Sequence, residues 1–423
     1  MDVKEIDGGV CAPRGFRAGG IRCGIKASSG KRDLALIYSE KLCTAAAMFT
    51  TNLVKAACVL VSREHLKAGK IRAVIANSGN ANACTGAAGL AAARRMAELA
   101  AEEFAISPEQ VAVASTGVIG VPLPIAAIES EISALADSIR ADAAGHEAAL
   151  EAIMTTDLRK KAGALEIELT APADAPAAVR LGGMVKGSGM IHPNMATMLC
   201  FITTDAAISR ELLDKSLRRA VGRSFNRVTV DGDTSTNDTI LIMANGAAGN
   251  SPIEQEGPDF EAFAAALEAL CVKLARAMAR DGEGATRLLT VKVSGAADEE
   301  SAGILAKSVA ASNLVKAACF GADANWGRVL CALGYAGVPF NPEETEVRFA
   351  GSAGEVLVCQ NGGPVPFSET EAKKILSEEE IEILVTLGAP TPEEGKNPGP
   401  GSATAWGCDL SYDYVKINGD YRS

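Results

Sequence analysis

The stretch that most limits how this chain can fold is Lys186-Gly187-Ser188-Gly189-Met190-Ile191-His192-Pro193-Asn194-Met195-Ala196-Thr197-Met198-Leu199, a turn-forming approach that runs straight into an apolar segment. Two glycines and the His-Pro-Asn triplet suit bent or left-handed backbone, whereas residues 198–202 suit a buried strand that would hold one end rigid. A bend against a fixed anchor singles out Thr197 at the junction. If its hydroxyl attacked the Ala196 carbonyl, an N-to-O acyl shift followed by hydrolysis would break the chain and leave an amine and a hydroxyl on one residue. That pairing is a recognised way to activate threonine. A threonine in a strand is more often structural, because a β-branched side chain fits a pleated sheet; here the whole surrounding run argues for the nucleophile.

Composition narrows the setting. The 423 residues are 48% hydrophobic but only 4% aromatic, with 42 glycines. The interior must therefore be built from small and aliphatic side chains in close contact, in two domains or one large architecture. A net charge of −11 without a compensating basic run argues against binding of a nucleic-acid backbone. Eleven cysteines stand singly, with no CxxC pair. That pattern fits neither a zinc site nor a disulfide framework, and it predicts free thiols in a reducing cytoplasm. The charged start Met1-Asp2-Val3-Lys4-Glu5 is unlike a signal peptide, and no apolar span is long enough for a membrane helix. No cofactor or metal is expected.

Periodicity predicts strands at 35–38, 58–62, 73–76, 111–114, 164–170, 179–185, 227–230, 239–243, 404–410 and 412–418, and helices at 89–104, 124–136, 146–154, 209–221 and 259–280. Ser368 to Glu371 reads as a capping box, and residues 388–402, with four prolines, as a loop. The strand at 111–114 delivers Ser115-Thr116-Gly117, where a hydroxyl and a glycine N–H can face developing negative charge. Glu283 lies between two glycines at a helix end, which reads as a solvated terminus or as a carboxylate for a substrate ammonium. Asp231 and Asp233, after an apolar stretch, offer a competing reading as Mg²⁺ ligands of a phosphotransferase, although Asp, Thr, Ser and Asn also form self-bonded turns. A third reading is a noncatalytic amino-acid sensor. The heptapeptide Asn-Leu-Val-Lys-Ala-Ala-Cys occurs at 52–58 and again at 313–319, which suggests an internal pseudo-duplication with similar surroundings for Lys55 and Lys316.

The run from Lys186 to Leu199 resembles the self-cleavage segment of the ornithine acetyltransferase family, also called bifunctional glutamate N-acetyltransferase/amino-acid acetyltransferase. The resemblance extends over the 77–82 loop, 115–120, 155–157, the 231–238 loop, Glu283, the 321–328 loop and Asn418. It implies an α+β fold, a four-layer α/β/β/α sandwich. It also implies cleavage between Ala196 and Thr197 into an alpha fragment of residues 1–196 and a beta fragment of residues 197–423, assembled as two of each. By the same resemblance Thr197 takes the acetyl group of N-acetylornithine and passes it to glutamate in ping-pong fashion, with acetyl-CoA as a further candidate donor. The resemblance makes Thr116 and Gly117 the oxyanion hole, and Thr155 or Thr156, Lys186, Glu283, Asn418 and Ser423 the substrate contacts. Charge complementarity assigns Lys186 to an α-carboxylate and Glu283 to an amine. The Thr197 amine, with a reference pKa of about 7.7 to 8, would serve as base, so His192 is left a structural role in the turn. On this reading Thr197→Ala stays one unbroken, inactive chain on denaturing electrophoresis; two fragments in that variant would refute the nucleophile.

Overall fold

The computed structural model describes residues 3–26, 30–172, 176–192, 198–388 and 401–419. They form two compact units. The first contains β1 (Lys4–Ile6), β2 (Phe16–Ile21), β3 (Leu34–Phe49), α1 (Ala57–His65), β4 (Lys70–Asn80), α2 (Gly86–Phe104), β5 (Val111–Val118), α3 (Ile125–Ser138), α4 (Ala143–Ile153), β6 (Lys161–Thr170), β7 (Pro176–Lys186), β8 (Leu199–Thr204), α5 (Arg210–Arg223) as far as Gly222, β9 (Thr239–Ala244), and α6 (Pro258–Arg280) as far as Leu274. Its strands make one sheet in the order β1-β6-β7-β8-β9-β3-β4-β5, with β2 added to β3.

The 16-residue β3 governs the shape of this sheet. Its first part pairs with β2 and β4, its last part with β9, and the register with β4 shifts between Tyr38 and Cys43. In a flat sheet β5 and β7, five strand spacings apart, would lie about 24 Å from each other. Yet Lys186 Nζ at the end of β7 donates to Thr116 Oγ1 of β5 at 3.2 Å. The sheet therefore curls until its two halves face one another. Ala112 and Ala114 of β5, Val74 and Ala76 of β4, Met184 of β7, Leu199 and Phe201 of β8 and Leu241 of β9 share the inner core, which α4 closes with Leu150 and Ile153.

Strand alternation sends Leu34, Leu36, Ala73, Ile75, Val111 and Val113 outward under α1, α2 and α3. On the other half the outward positions Gly163 and Gly183 admit α6: a Cβ there would stand 3.1 Å and 3.0 Å from the Leu270 and Leu274 methyl carbons. Helix α5 is tied to α6 by Arg219 and Glu261 at 2.6 Å. The expected four-layer α/β/β/α order is thus built from one folded sheet. Small residues set the layer spacing, which accounts for the glycine-rich, aromatic-poor composition.

The second unit contains residues 191–192, 223–232 and 275 onward. Its elements are β10 (Leu288–Ala296), α7 (Glu299–Ala311), α8 (Asn313–Phe320), α9 (Trp326–Gly334), β11 (Glu346–Gly351), β12 (Gly354–Gln360), β13 (Gly363–Pro364), α10 (Glu369–Leu376), β14 (Glu380–Thr386), β15 (Gly401–Cys408) and α11 (Tyr412–Gly419). The sheet order is β13-β12-β11-β14-β10-β15. Leu289, Val291, Ile383 and Val385 form one face beneath Leu305 and Val309 of α7, Val329 of α9 and Ile375 of α10. Lys292 and Glu382, on the other face, pair at 2.7 Å. Ser368 caps α10 by accepting from the Glu371 N–H, as its spacing predicts.

Several expectations need correction. Residues 58–62 are helical, within α1, because the buried positions Cys58, Val59, Val61 and Ser62 follow a helical face that a short apolar run does not distinguish from a strand. Residues 227–230 form no strand; only Val228 makes a bridge, to Trp406. The final segment is helix α11, not a strand: none of its described side chains is buried, so no sheet face exists for it. The loops expected at 77–80 and 115–118 continue β4 and β5. The repeated heptapeptide is a repeat of letters only. At 313–319 it is helix α8 capped by Ser312, whereas at 52–56 it is irregular and enters α1 only at Ala57. Lys316 is 1% exposed and bonds the Val230 carbonyl, while the partly buried Lys55 bonds the Asn52 carbonyl at 2.6 Å. The pseudo-duplication drawn from this match is therefore not seen in these segments. Most of the 388–402 loop lies outside the described residues.

A Cβ at Gly182, on the inner side of β7, would stand 1.8 Å from the Gly9 carbonyl oxygen. Gly182→Ala is expected to cost about 1 to 3 kcal/mol by overpacking; a thermal midpoint equal to that of the parent protein would contradict the close layer spacing.

Candidate active site

The inner face of the first unit collects charge at the ends of β5 and β7. Lys186 closes β7 opposite Leu199, so its side chain shares the inner face with Leu199. It is buried, and its ammonium donates to Thr116 Oγ1. With a lone pair of that oxygen occupied, the Thr116 hydroxyl proton is free to point away, polarised as a donor. Gly117 follows at φ 137°, and a Cβ there would meet the Gly79 carbonyl carbon at 2.3 Å. Glycine is obligatory at 117 because β4 approaches it so closely, where the register between the strands shifts.

Beneath these groups lies a buried carboxylate that sequence reasoning gave no role. Asp157 receives the Lys161 ammonium at 2.7 Å, the Gly187 N–H at 2.7 Å and the Thr155 N–H at 2.9 Å. Burial pushes its carboxyl up, but Lys186, Lys161 and these hydrogen bonds outweigh burial and hold it well below the usual carboxylate range. Asp157 thereby fixes both the start of the 187–192 approach and the Thr155 loop. Thr155 also borders a cavity of about 780 Å³ together with Asp157, Arg22 and Lys160. Thr156 beside it is half-buried. The Lys26 ammonium, pushed down to about 8 by burial, caps the Met154 carbonyl at 2.6 Å. With Asp157 ionised, Lys161 and Lys186 leave the site net positive, which suits a carboxylate ligand.

Loop 231–238 is anchored residue by residue. Asn237 donates to the Ala81 and Ser115 carbonyls at 2.6 Å and 2.8 Å, which holds the loop against the end of β5. Asp238 Oδ1 accepts the Met198 N–H at 2.7 Å, and Met198 in turn accepts the Thr239 N–H at 3.0 Å. The backbone just after Thr197 is therefore held rigidly, as the sequence predicts. Ala196 and Thr197 themselves lie outside the described residues.

In the second unit the Ile191 N–H donates to Asp231 Oδ1 at 2.8 Å, and the Ile191 carbonyl accepts the Val230 N–H at 2.6 Å. Asp231 thus anchors the backbone at Ile191, a partner 40 residues away, rather than forming the self-bonded turn expected from the loop's composition. His192 Nδ1 lies 3.0 Å from Thr229 Oγ1, and burial pushes the imidazole down to about 4, which agrees with its structural role. Glu283 is not a solvated end: it is 6% exposed, and its Oε2 accepts from Asn418 Nδ2 at 2.9 Å. Two predicted site residues are thereby brought together. Ser423 lies outside the described residues.

Asp157→Ala would strand the fully buried Lys161 ammonium and is expected to cost about 3 to 5 kcal/mol. Because the folded pKa of Asp157 lies below its unfolded value of about 3.9, the carboxylate's stabilisation is complete above about pH 4 and is lost as pH falls further. Denaturation curves that match the parent at pH 7 would contradict this arrangement.

The ArgJ family model matches residues 17–423. The arginine biosynthesis bifunctional protein ArgJ of Symbiobacterium thermophilum is 51% identical over 100% of both chains, and that of Caldanaerobacter subterraneus subsp. tengcongensis is 48% identical, again over 100% of both. A solved chain of arginine biosynthesis bifunctional protein ArgJ from Bacillus halodurans is 44% identical, covering 52% of this chain and 97% of its own, with a TM-score of 0.48. Matched along essentially its whole length and half identical to curated relatives, the chain belongs to the ArgJ family.

Proposed function

We propose that the chain is an acyltransferase of arginine biosynthesis that cuts itself before Thr197. It then moves the acetyl group of N2-acetyl-L-ornithine to L-glutamate through an acetyl-Thr197 intermediate. The observation that carries this reading is the Thr116–Lys186 contact, which holds a polarised hydroxyl on the same inner face as the strand that starts just after Thr197. Family membership supports the acetyl chemistry.

In this scheme the Thr197 hydroxyl attacks the acetyl carbonyl while its α-amine takes the proton. The Thr116 hydroxyl and the Gly117 N–H stabilise the oxyanion, and the amine then hands its proton to departing ornithine. Glutamate next attacks the acetyl-enzyme. Lys186, in its net positive surroundings, receives the α-carboxylate. Glu283 receives an amine, with its carboxylate oriented by Asn418. Thr155, Thr156 and Ser423 are further substrate contacts.

The cut fragments, 196 and 227 residues long, would stay joined by backbone ladders. Strands β8 and β9 follow the cut yet pair with β7 and β3. Association into two alpha and two beta fragments belongs to the same reading, and eleven free thiols support a reducing cytoplasm.

Thr116→Ala should slow acetyl transfer by roughly ten- to a thousand-fold; unchanged turnover would return Thr116 to a purely structural role. The direct test of donor and class is to supply glutamate with either N-acetylornithine or acetyl-CoA and measure N-acetylglutamate. Product from N-acetylornithine is expected, product from acetyl-CoA as well would mark a bifunctional enzyme, and no product from either would overturn the reading.

A further inference from the structure

A second cavity of the first unit, of about 870 Å³, has no part in the chemistry described above. Residues 45–49 of β3 line it. Residues 44–49 pair with β9, but on the other side of β3 the strand β4 reaches only to Thr44, opposite Lys70. The Ala45 N–H still closes on the Gly69 carbonyl at 2.9 Å; beyond it, that side of β3 has no neighbouring strand among the described residues. Alternate residues of an antiparallel ladder direct their backbone groups to the same side. Because the Thr50 N–H donates towards β9, to the Asp238 carbonyl at 3.0 Å, Ala47 and Phe49 turn their N–H and C=O groups to the unpaired side. Such an edge is normally blunted by lysine or proline. Residues 44–49 read Thr-Ala-Ala-Ala-Met-Phe, without either, and the three alanines leave the backbone unshielded.

The charge around this edge narrows what can cover it. Lys55, Arg63, Lys67, Arg210 and Arg218 line the cavity against two carboxylates, Glu211 and Asp214, a positive excess on a chain of net charge −11. Asp214 is spent on Arg218, its Oδ2 accepting from Nε at 2.7 Å. The Arg210 guanidinium is held by the Lys67 and Leu66 carbonyls at 2.8 Å and 3.2 Å, which fix its place and leave its charge uncompensated. Arg63, Lys67 and Arg210 form no ion pair among the described residues. Lys67 and Arg210 sit by Gly69, at the Ala45 end of the edge, and Lys55 follows the Thr51 end. Arg218 lies eight residues beyond Arg210 on α5, about 12 Å along the helix. Cations spread along the edge in this way match a line of carboxylates better than one compact anion. A second copy of this chain would set like charge against like.

We propose that the unpaired edge of β3 is a docking site for an acidic, extended peptide segment of a partner protein. The segment adds as a strand beside residues 45–49 and sets its carboxylates against Arg63, Lys67 and Arg210. Five strand residues offer about 17 Å of ladder. Main-chain hydrogen bonds to Ala47 and Phe49 supply affinity whatever the partner's sequence, and the cationic walls make the choice of an acidic one. The site is independent of acetyl transfer, since none of these side chains takes part in the proposed reaction.

The test is fluorescence anisotropy of a labelled, N-acetylated hexapeptide of alternating glutamate and valine, titrated with the full-length protein at low salt. Saturable binding is expected. It should weaken by roughly tenfold in the double variant Arg63→Glu, Lys67→Glu, whose two side chains are exposed and can be exchanged without disturbing the core. It should weaken by at least as much when every backbone amide of the peptide is N-methylated, which keeps the charge and removes the ladder donors. The counterpart of alternating lysine and valine should not bind. Absence of saturable binding overturns the proposal, as does undiminished binding of the N-methylated or lysine peptide, or undiminished binding by the charge-reversed variant. Displacement of the acidic peptide by an equal concentration of coenzyme A would also overturn it, and would assign the cavity to a nucleotide ligand instead.

Discussion

The curl of the nine-stranded sheet about β3 is the constraint on which the site depends. Ladder pairing alone would leave β5 and β7 far apart, and a long strand that serves two neighbours in succession lets the two halves fold face to face. The inner face then becomes a shared core, lined towards the ends of β4 and β5 by Val74, Ala76, Ala112 and Ala114. Bulkier side chains would hold the layers apart and break the contact between Lys186 and Thr116. Composition, layer spacing and the polarised hydroxyl are thus successive consequences of one packing requirement.

Electrostatics completes what packing begins. A carboxylate with two ammonium neighbours stays ionised even when buried, so Asp157 can tie Lys161, Gly187 and Thr155 together while the local balance stays positive. Asp238 is the contrasting case: buried without an adjacent cation, it is held towards its neutral form. The pair illustrates how burial has opposite outcomes depending on whether a counter-charge is within hydrogen-bond reach.

Much of this was legible in the sequence, and the omissions have physical reasons. The alternation in β6 and the helical faces of α2 and α6 declare themselves, because each element buries one side. The motif containing Thr197 announces a bend followed by a rigid strand, and β8 begins where that reading requires. Residues 58–62 and 412–418 were misleading because a short apolar or alternating run does not fix its own period; packing partners decide it. The same heptapeptide is helical behind the Ser312 cap and irregular after Thr51, an override of local preference by surroundings. Asp157 carries no local signal and Asp238 reads as part of a self-bonded loop, since nothing in nearby letters reveals that one will meet Lys161 and the Gly187 N–H and the other the Met198 N–H. Glu283 looked solvated because its partner, Asn418, lies 135 residues away.

The central claim is that the bond before Thr197 is broken and that the freed residue carries the acetyl group. Intact-mass spectrometry of the active protein, before and after exposure to N-acetylornithine without glutamate, tests it most directly. The account predicts two polypeptides, the second starting at Thr197 and gaining the mass of one acetyl group on that residue. A fully active preparation consisting of a single uncut chain, or an acetyl group carried elsewhere, would contradict it.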